Sequence, residues 1–387
     1  MKDGYINNLF VATYKKRPIV VDRGDGSYLF TKEGNNYLDF LSGISINNLG
    51  YSNPEIRQRI IEQLGKVIHP SNYYYTEAQI VLAEKLISAS GLDKVFFANS
   101  GTEANEAALS FIASYGKITP EKDEIIVFED SVFGRTHGSQ MMATGGVFKN
   151  LKFVRIPFND GEKLKNAITN STLGISLELV LGHGGIRKMN PSVIESIKNI
   201  CKEKDLILMI DEVQTGLGRA GHFFFFQESG IHPDIVTLGK SLGGGLPLSA
   251  VIVSDRIAQT IRPGDYGCTT GGNSLACAAG AEVIDYLLKK KNIDGIRQRG
   301  EYLFKKLKSL VKQYPGELIE ARCYGLMCAL EVREGLSDSL VASCIKQGLL
   351  IDTVNKNVLR MLPPFTVLYT EIDSAVSILE TALKQKP

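Results

Sequence analysis

Short apolar runs alternate with helical patterns through the middle of this chain, between about residues 95 and 253. The runs at 205–210, 235–238 and 248–253 are apolar on both faces, as strands between two layers of helices must be. Strands of this kind, separated by helices, predict an α/β fold with a mostly parallel central sheet.

The pattern changes after about residue 275. A second group of elements follows, with helices at 274–291, 300–314 and 371–384 and strand-like runs at 326–332 and 349–352. The first 50 residues hold turn sequences at 24–27 and 33–36 but are too short for a core of their own. We therefore predict a large domain at residues 51–275 and a smaller α+β domain built from residues 1–50 and 276–387.

Composition excludes several classes of protein. Hydrophobic residues make up 44% and charged residues 22% of the 387 residues, an ordinary globular balance. Lys and Arg number 44 against 42 for Asp and Glu, so no charge excess points to nucleic acid or an anionic membrane. No apolar run approaches the roughly 20 residues that cross a bilayer, and residues 1–8 lack the apolar part of a secretory signal. We expect a cytoplasmic protein.

The six cysteines form no recognisable metal or redox motif. None lies in a Cys-x-x-Cys pair, no histidine cluster is nearby, and Cys323 and Cys328 stand five residues apart. We therefore expect no bound metal, and we expect all six side chains to be reduced, mostly buried thiols.

Two polar side chains end apolar runs in the centre of the chain. Asp211 follows the run at 205–210, and the carboxyl ends of strands in an open α/β sheet are where ligands bind. Lys240 follows 235–238 and precedes a glycine-rich turn, where a desolvated lysine has a lowered pKa and can form a Schiff base. Taken alone, Asp211 is explained equally well as a helix cap, and Lys240 as a phosphate-binding or loop lysine.

Two turns of small residues precede helices. Residues 99–105 place the hydroxyls of Ser100 and Thr102 at a helix N-terminus, where free N–H groups and the helix dipole favour a phosphate. Residues 267–273 offer two threonine hydroxyls and permissive glycines directly before a long helix. An ordinary helix cap explains each turn on its own.

Together these features match the requirements of one cofactor. Pyridoxal phosphate needs an anchor for its phosphate, an acid beside its pyridine nitrogen and an amine for its aldehyde. The turn at 99–105, Asp211 and Lys240 supply these three groups, and the lysine follows the acid by 29 positions. A dinucleotide-binding oxidoreductase is disfavoured because no Gly-x-Gly-x-x-Gly turn follows an early strand.

The sequence resembles the class III aminotransferases, and within them the acetylornithine and ornithine aminotransferase branch. The resemblance covers nearly the whole chain and rests on motifs in the right order and spacing, at residues 37–43, 99–105, 133–136, 211–216, 240 and 359–364. It implies the fold type I architecture, with a mostly parallel sheet in a large domain and a smaller α+β domain. It also implies pyridoxal 5′-phosphate as cofactor and a homodimer with shared active sites.

The resemblance further implies roles for individual residues. Lys240 would hold the cofactor covalently and move a proton between substrate and cofactor, and Asp211 would keep the pyridine nitrogen protonated. Arg135 and Arg360 would bind substrate carboxylates, for which the planar guanidinium is well suited. The other cofactor contacts would come from Ser100, Gly101, Thr102, Gln214 and, in the neighbouring subunit, Thr269.

Three positions depart from the family pattern. His183 stands where the family has a glutamate that pairs with the second arginine, so we predict that Arg360 stays exposed and that selection between the half-reactions is altered. A neutral histidine in a remodelled loop is the alternative. Val132 replaces a phenylalanine that stacks on the cofactor, so either Val132 or the shifted Phe133 would cover the ring. Thr270 replaces a common aromatic residue, and together the changes suggest a specialised enzyme.

We therefore expect an aminotransferase that moves an amino group between a terminal-amine substrate and a keto acid such as 2-oxoglutarate. Acetylornithine, ornithine or a related basic amino acid is the expected amine. An enzyme of the same fold but another reaction type, such as an aminomutase, racemase or decarboxylase, is the alternative. A non-catalytic scaffold is disfavoured because Lys240, Asp211 and the phosphate-binding residues are intact.

Overall fold

The computed structural model describes residues 9–385. Residues 1–8, where we expect no secretory signal, lie outside this part, as do residues 386 and 387 of the predicted small domain. The strands are β1 (Val21–Asp25), β2 (Tyr28–Thr31), β3 (Asn36–Asp39), β4 (Lys94–Ala98), β5 (Glu124–Phe128), β6 (Val147–Phe148), β7 (Leu151–Ile156), β8 (Thr172–Leu177), β9 (Val180–Leu181), β10 (Arg187–Lys188), β11 (Ile207–Asp211), β12 (Ile235–Leu238), β13 (Ser249–Val253), β14 (Leu318–Tyr324), β15 (Met327–Val332), β16 (Leu349–Leu350), β17 (Asp352–Val354) and β18 (Val358–Met361).

The helices connect and cover these strands. They are α1 (Ser42–Ser45), α2 (Pro54–Leu64), α3 (Glu77–Ser90), α4 (Gly101–Gly116), α5 (His137–Thr144), α6 (Gly161–Ala167), α7 (Pro191–Lys204), α8 (Phe225–Glu228), a 3₁₀ turn (Lys240–Gly243), α9 (Asp255–Ala258), α10 (Ser274–Leu288), α11 (Lys290–Gln313), α12 (Ser337–Lys346) and α13 (Tyr369–Lys384). Among residues 9–385, no helix combines the length and apolarity needed to cross a membrane.

The central sheet has eight strands in the order β4-β13-β12-β11-β8-β5-β7-β6. The neighbours from β12 to β7 are parallel, whereas β13 runs antiparallel to both β12 and β4, and the short edge strand β6 is antiparallel to β7. The prediction of a mostly parallel sheet in an α/β fold is confirmed.

Alternate side chains of β11 explain why the central runs are apolar on both faces. Ile207 and Met209 belong to one buried cluster, while Leu208 and Ile210 belong to another. Each cluster lies between the sheet and a layer of helices, so every position of the strand is buried. The sheet edge, rather than its faces, is therefore where polar side chains can meet a ligand.

Besides the central sheet, the described residues form three smaller sheets, of which the smallest is the antiparallel pair of β9 and β10. Strands β1, β2 and β3 form an antiparallel meander, and β3 pairs in parallel with β16 from the C-terminal part. Strands β14, β15, β18 and β17 form an antiparallel sheet. The sheet formed by residues 21–39 is thus joined to the C-terminal part through β3 and β16, while the domain boundaries at residues 50 and 275 stay a prediction.

The helix predicted at 274–291 ends early. Lys289 is extended (ψ 105°), and it separates α10 from α11, which begins at Lys290 rather than near residue 300. The side-chain amide of Asn292 donates to the carbonyl of Tyr286 at 2.7 Å, which satisfies one of the free carbonyls at the end of α10. The prediction of one uninterrupted helix here is wrong, because the backbone leaves the helical conformation at Lys289 and apolar periodicity does not mark such a break.

The expectation that all six cysteines are thiols is also wrong. Cys323 and Cys328 form a disulfide, while Cys201, Cys268, Cys277 and Cys344 are free. Strands β14 and β15 form a tight hairpin in which Cys323 and Cys328 are direct cross-strand partners, with Cα atoms 4.1 Å apart. The spacing of five residues alone does not indicate a disulfide. The hairpin register makes the bond possible, because it brings the two side chains together.

Candidate active site

A cavity of about 430 Å³ opens at the carboxyl edge of the central sheet. Its walls come from segments that directly follow five strands that share one direction: β4, β5, β8, β11 and β12. After β4 comes Asn99, after β5 comes Val132, and after β8 comes Glu178. Asp211 ends β11, and Lys240 follows β12. Parallel strands end at one edge, so residues distant in sequence meet there.

Asp211 is held in one orientation at the base of the cavity. Its Oδ2 accepts a hydrogen bond from the amide nitrogen of Asn105 at 2.7 Å, and its Oδ1 accepts one from the backbone N–H of Val213 at 2.8 Å. The same Asn105 nitrogen donates to the carbonyl of Phe133 at 2.7 Å. Burial raises the pKa of Asp211, while these donors and the nearby Lys240 favour its ionised form.

Lys240 lies beside this acid in an unusual backbone conformation. Its φ is 43°, in the left-handed region, which costs an L-residue about 1 kcal/mol or more. Burial lowers the pKa of the amine, and the charge of Arg360 lowers it further, whereas Asp211 and Glu178 raise it. A desolvated lysine with a lowered pKa is suited to covalent attachment and proton transfer.

The N-terminus of α4 forms another wall. The Ser100 hydroxyl caps this helix by accepting from the Glu103 N–H at 3.3 Å and donates to the Glu103 carboxylate at 2.9 Å, as the helix-cap interpretation predicts. A Cβ on Gly101 would lie 2.5 Å from Val213, so only glycine lets the helix start this close to the end of β11. Thr102 accepts from the Arg135 N–H at 3.3 Å. The free N–H groups of this turn suit a phosphate.

The residues after β5 take different positions. Val132 is 40% exposed, whereas Phe133 is 1% exposed and packs in the core. Both contribute to the cavity lining, but only Val132 presents an accessible side chain. Of the two predicted arrangements, the geometry favours an aliphatic cover for the cofactor ring.

Gln214 leaves a polar atom available to a ligand. Its side chain lines the cavity and is buried, and its Nε2 has no hydrogen-bond partner among the described residues. An unpartnered buried donor is costly unless a ligand satisfies it. This donor, the helix N-terminus, Asp211 and Lys240 together fit pyridoxal phosphate.

Sequence reasoning missed Glu178 and gave no role to Asn105. Glu178 accepts from the N–H groups of Val132 at 2.8 Å and Gly182 at 3.1 Å, and burial together with the charge of Asp211 raises its pKa to about 8. Glu178 thus fixes the loop that carries Val132 and the loop that carries His183, both of which line the cavity. The sequence held a signal for Glu178, namely an acidic residue directly after a buried strand. Glu178 follows β8 in the same way that Asp211 ends β11.

The predicted substrate-binding residues divide into two groups. Arg135 and His183 line the cavity and are exposed to it. Arg360 is 1% exposed, is not part of the lining, and forms a two-pronged ion pair with Asp352, with Nε–Oδ1 at 3.1 Å and Nη2–Oδ2 at 2.6 Å. The expectation that Arg360 stays exposed is therefore wrong, because Asp352 supplies the carboxylate that His183 does not.

Thr269 does not reach the cavity of its own chain. It is exposed in the loop before α10, and its carbonyl accepts from the amide of Asn72 at 3.2 Å. The adjacent Thr270 donates from its hydroxyl to the Asn99 side chain at 3.2 Å, and so touches the first residue of the predicted phosphate turn. A role for Thr269 in cofactor binding would require the cavity of a neighbouring subunit.

His183 gives the folded protein a testable sensitivity to acid. Loss of water around the ring, together with Arg360, Lys240 and Arg135, lowers its pKa to about 4, although Asp352 opposes this shift. The folded protein binds this proton less readily than the unfolded chain. Stability that depends on a neutral His183 is therefore fully present above about pH 6.5, and it is lost as the pH falls towards 4.

We expect His183→Gln to lose less thermal stability than the unmodified protein between pH 7 and pH 5. Melting temperatures at both pH values measure this difference. His232→Gln is the control, because His232 is exposed outside the cavity. Equal losses in the protein with and without His183 would contradict the assignment of a neutral histidine.

A mostly parallel sheet with a buried acid and a partly buried lysine at its carboxyl edge defines a class, the pyridoxal-phosphate enzymes of fold type I. The family described as Aminotransferase class-III matches residues 10–383. The chain belongs to this family and is an aminotransferase that uses pyridoxal 5′-phosphate. The predicted family, fold class, reaction type and cofactor are confirmed.

Relatives and solved structures agree over the full length. The chain is 38% identical to the acetylornithine aminotransferase of Caldanaerobacter subterraneus subsp. tengcongensis over 98% of both chains. It is 39% identical to that of Methanocaldococcus jannaschii, over 95% of this chain and 94% of the relative. The ornithine aminotransferase structure from Toxoplasma gondii matches with a TM-score of 0.92 and 26% identity, covering 98% of this chain and 94% of that one. The acetylornithine aminotransferase structure from Elizabethkingia anophelis matches with a TM-score of 0.89 and 28% identity over the whole of both chains.

Proposed function

We propose that this aminotransferase takes the amino group from the terminal amine of acetylornithine or ornithine and delivers it to 2-oxoglutarate. The observation that carries the proposal is the cavity in which Lys240 and Asp211 lie together with the exposed guanidinium of Arg135. The names of the relatives, acetylornithine and ornithine aminotransferases, support the choice of amine. An aminomutase, racemase or decarboxylase lacks comparable support.

Each cavity residue has a proposed task. The N-terminus of α4, at Ser100, Gly101 and Thr102, would hold the phosphate of the cofactor, and the Gln214 amide would donate to its ring substituent. Asp211 would keep a proton on the ring nitrogen. When bound, pyridoxal phosphate supplies an aldehyde that accepts the amino group and a ring that withdraws electrons.

Lys240 is the proposed proton carrier. Its lowered pKa lets the neutral amine take a proton from the substrate carbon and return it to a neighbouring carbon, as base and then acid. Arg135 holds a substrate carboxylate in a two-pronged hydrogen bond, which fixes the amine end of the substrate beside Lys240. Val132 excludes water from one side of the reacting group.

A screen of amino donors tests the substrate. The purified holoenzyme is assayed with acetylornithine, ornithine, 4-aminobutyrate and aliphatic diamines, each with 2-oxoglutarate, and glutamate is measured. We expect the highest kcat/KM for acetylornithine or ornithine, with one glutamate formed per amine consumed. A preference for diamines or 4-aminobutyrate would move the enzyme to another substrate class and support the prediction of a specialised enzyme.

We also propose a homodimer in which each subunit completes the cavity of the other. Support comes from Thr269, which is exposed outside the cavity of its own chain, and from the neighbouring Tyr73 and Tyr75, which are 92% and 91% exposed. Asn72 connects the segment of Tyr73 and Tyr75 to the loop of Thr269, since its amide donates to the carbonyls of Cys268 at 2.7 Å and Thr269. Exposed aromatic side chains beside a loop of this kind suit a subunit interface.

Complementation between two inactive variants tests the shared cavity. Lys240→Ala removes the amine, and Thr269→Glu places a negative charge against the phosphate, so each variant alone is expected to be inactive. In a mixed dimer, one cavity combines the intact lysine of one subunit with the intact threonine of the other. Random subunit exchange should therefore restore about a quarter of the normal activity. No activity after confirmed exchange would contradict the shared site.

A cytoplasmic location is the last part of this proposal. The four free cysteines, Cys201, Cys268, Cys277 and Cys344, support a reducing compartment, whereas the Cys323–Cys328 disulfide is unusual in one. Fractionation of the native cells, with detection of the protein, measures the location directly.

A further inference from the structure

Asp352 and Arg360 form a cross-strand ion pair behind the cavity. They are direct partners in the antiparallel ladder of β17 and β18, so their side chains lie on the same face of the sheet. The Arg360 guanidinium uses Nε and Nη2 to donate to the two carboxylate oxygens of Asp352. Its third nitrogen, Nη1, is buried and has no partner among residues 9–385.

The ion pair lies close enough to the cavity for the charge of Arg360 to affect groups that line it. The charge of Arg360 lowers the pKa values of both His183 and Lys240, which line the cavity. Within the described part of the chain, Asp352 has the only carboxylate that forms an ion pair with Arg360. His183 cannot replace it, since the ring is neutral at pH 7 and offers no negative charge.

The two partners are not equally fixed. The side chain of Arg360 is 1% exposed, but that of Asp352 is 22% exposed and can turn towards water. A buried guanidinium that loses its counter-ion and hydrogen-bond acceptors is strongly unfavourable. Among the described residues, only Asp352 accepts hydrogen bonds from the Arg360 side chain, so release of Asp352 requires another acceptor. Either Asp352 or a carboxylate of the bound substrate can satisfy this requirement.

We propose that Asp352 is a specificity-determining residue, an exchangeable counter-ion that competes with substrate for Arg360. This inference rests on the proposed function and deepens it. With a substrate that has one carboxylate, Arg135 binds that group and Asp352 stays on Arg360. With a substrate that has two carboxylates, the second one displaces Asp352 and also reaches the unpartnered Nη1. Asp352 thereby lets one cavity accept both a monocarboxylate amine and a dicarboxylate keto acid.

Binding of glutarate to the holoenzyme tests the competition, because this dicarboxylate has neither an amine nor a carbonyl to react. Asp352→Asn keeps the shape of the side chain but removes the charge that glutarate must displace. We expect glutarate to bind about tenfold more tightly to this variant by calorimetry, equivalent to about 1.4 kcal/mol. Asp352→Glu keeps the charge and should stay within about threefold of the unmodified enzyme.

A matched control removes a similar ion pair elsewhere. Asp294 pairs with Arg297 at 3.4 Å on an exposed face of α11, and Asp294→Asn should leave glutarate binding unchanged. If Asp352→Asn does not fold, Asp352→Ser is measured in its place, with the same expectation. Equal affinity for glutarate with and without the Asp352 carboxylate would overturn the proposal and leave this residue a purely structural partner.

The separate half-reactions distinguish failure of this inference from failure of the proposed function. In Asp352→Asn, the ratio of kcat/KM for glutamate, which has two carboxylates, to that for the terminal-amine donor should rise about tenfold. If the unmodified enzyme converts no terminal-amine donor, the proposed function fails. If it converts the donor but the ratio does not change in the variant, the role of Asp352 fails alone.

Discussion

Replacing Lys240 by alanine is expected to lower kcat by about 10³-fold to 10⁴-fold. The variant loses both the amine that attaches the cofactor and the group that carries the proton, and positioned acid–base groups contribute effects of this size. Glutamate formation measures the loss. Lys149→Ala is the control, because the Lys149 amine donates to the Ser110 hydroxyl outside the cavity and should be dispensable.

A chemical measurement supports the same assignment without relying on activity. Borohydride reduction of the unmodified holoenzyme should fix the vitamin B6 group to Lys240, and peptide mass spectrometry identifies the modified side chain. The label should be lost in Lys240→Ala and kept in Lys149→Ala. A label on another lysine, or a Lys240→Ala variant with normal kcat, would contradict the site.

Asp211→Asn is expected to lower kcat by about 10²-fold to 10³-fold while the protein stays folded. A neutral amide cannot stabilise a proton on the ring nitrogen as a carboxylate does. The ring of the cofactor would then withdraw electrons less strongly. The substitution preserves size, and Val213 and Asn105 remain near the new side chain. Measurements of kcat and of urea unfolding separate catalysis from stability.

The neighbouring Glu212 is the matched control for this prediction. It is also a buried acid at the end of β11, but its oxygens accept from the N–H groups of Phe225 at 2.9 Å and Phe226 at 2.6 Å, at the start of α8. Glu212→Gln should therefore cost about 1–3 kcal/mol of unfolding free energy and change kcat only a few-fold. Equal loss of kcat in both variants would remove the distinction between Asp211 and a structural acid.

The predicted site residues that the structure brings to one cavity share a physical origin. Asp211 and Lys240 could be predicted because each ends or follows an apolar run, and parallel strands bring such positions to one edge. The turn at 99–105 could be predicted because small polar residues before a helix are a local signal. Features fixed by local sequence and by sheet direction were therefore accessible without coordinates.

Two of the failures are contacts across antiparallel ladders. The Cys323–Cys328 disulfide and the Asp352–Arg360 pair both join direct cross-strand partners. Their register depends on where each hairpin turns, which apolar patterning along a single strand does not specify. The buried state of Arg360 could not be predicted from the missing carboxylate at His183, because its substitute lies on a different element.

Asn105 has a mechanical consequence for the enzyme. A single amide nitrogen on α4 joins the carboxylate of Asp211 to the backbone of the loop that carries Val132. A shift of that loop would stretch one of these two bonds and so disturb the orientation of the acid, although no atom of Val132 needs to touch it. If Val132 and Asp211 have the proposed roles, mutations that reshape the loop around Val132 should also change the orientation of Asp211, so substrate fit and chemical rate are expected to change together.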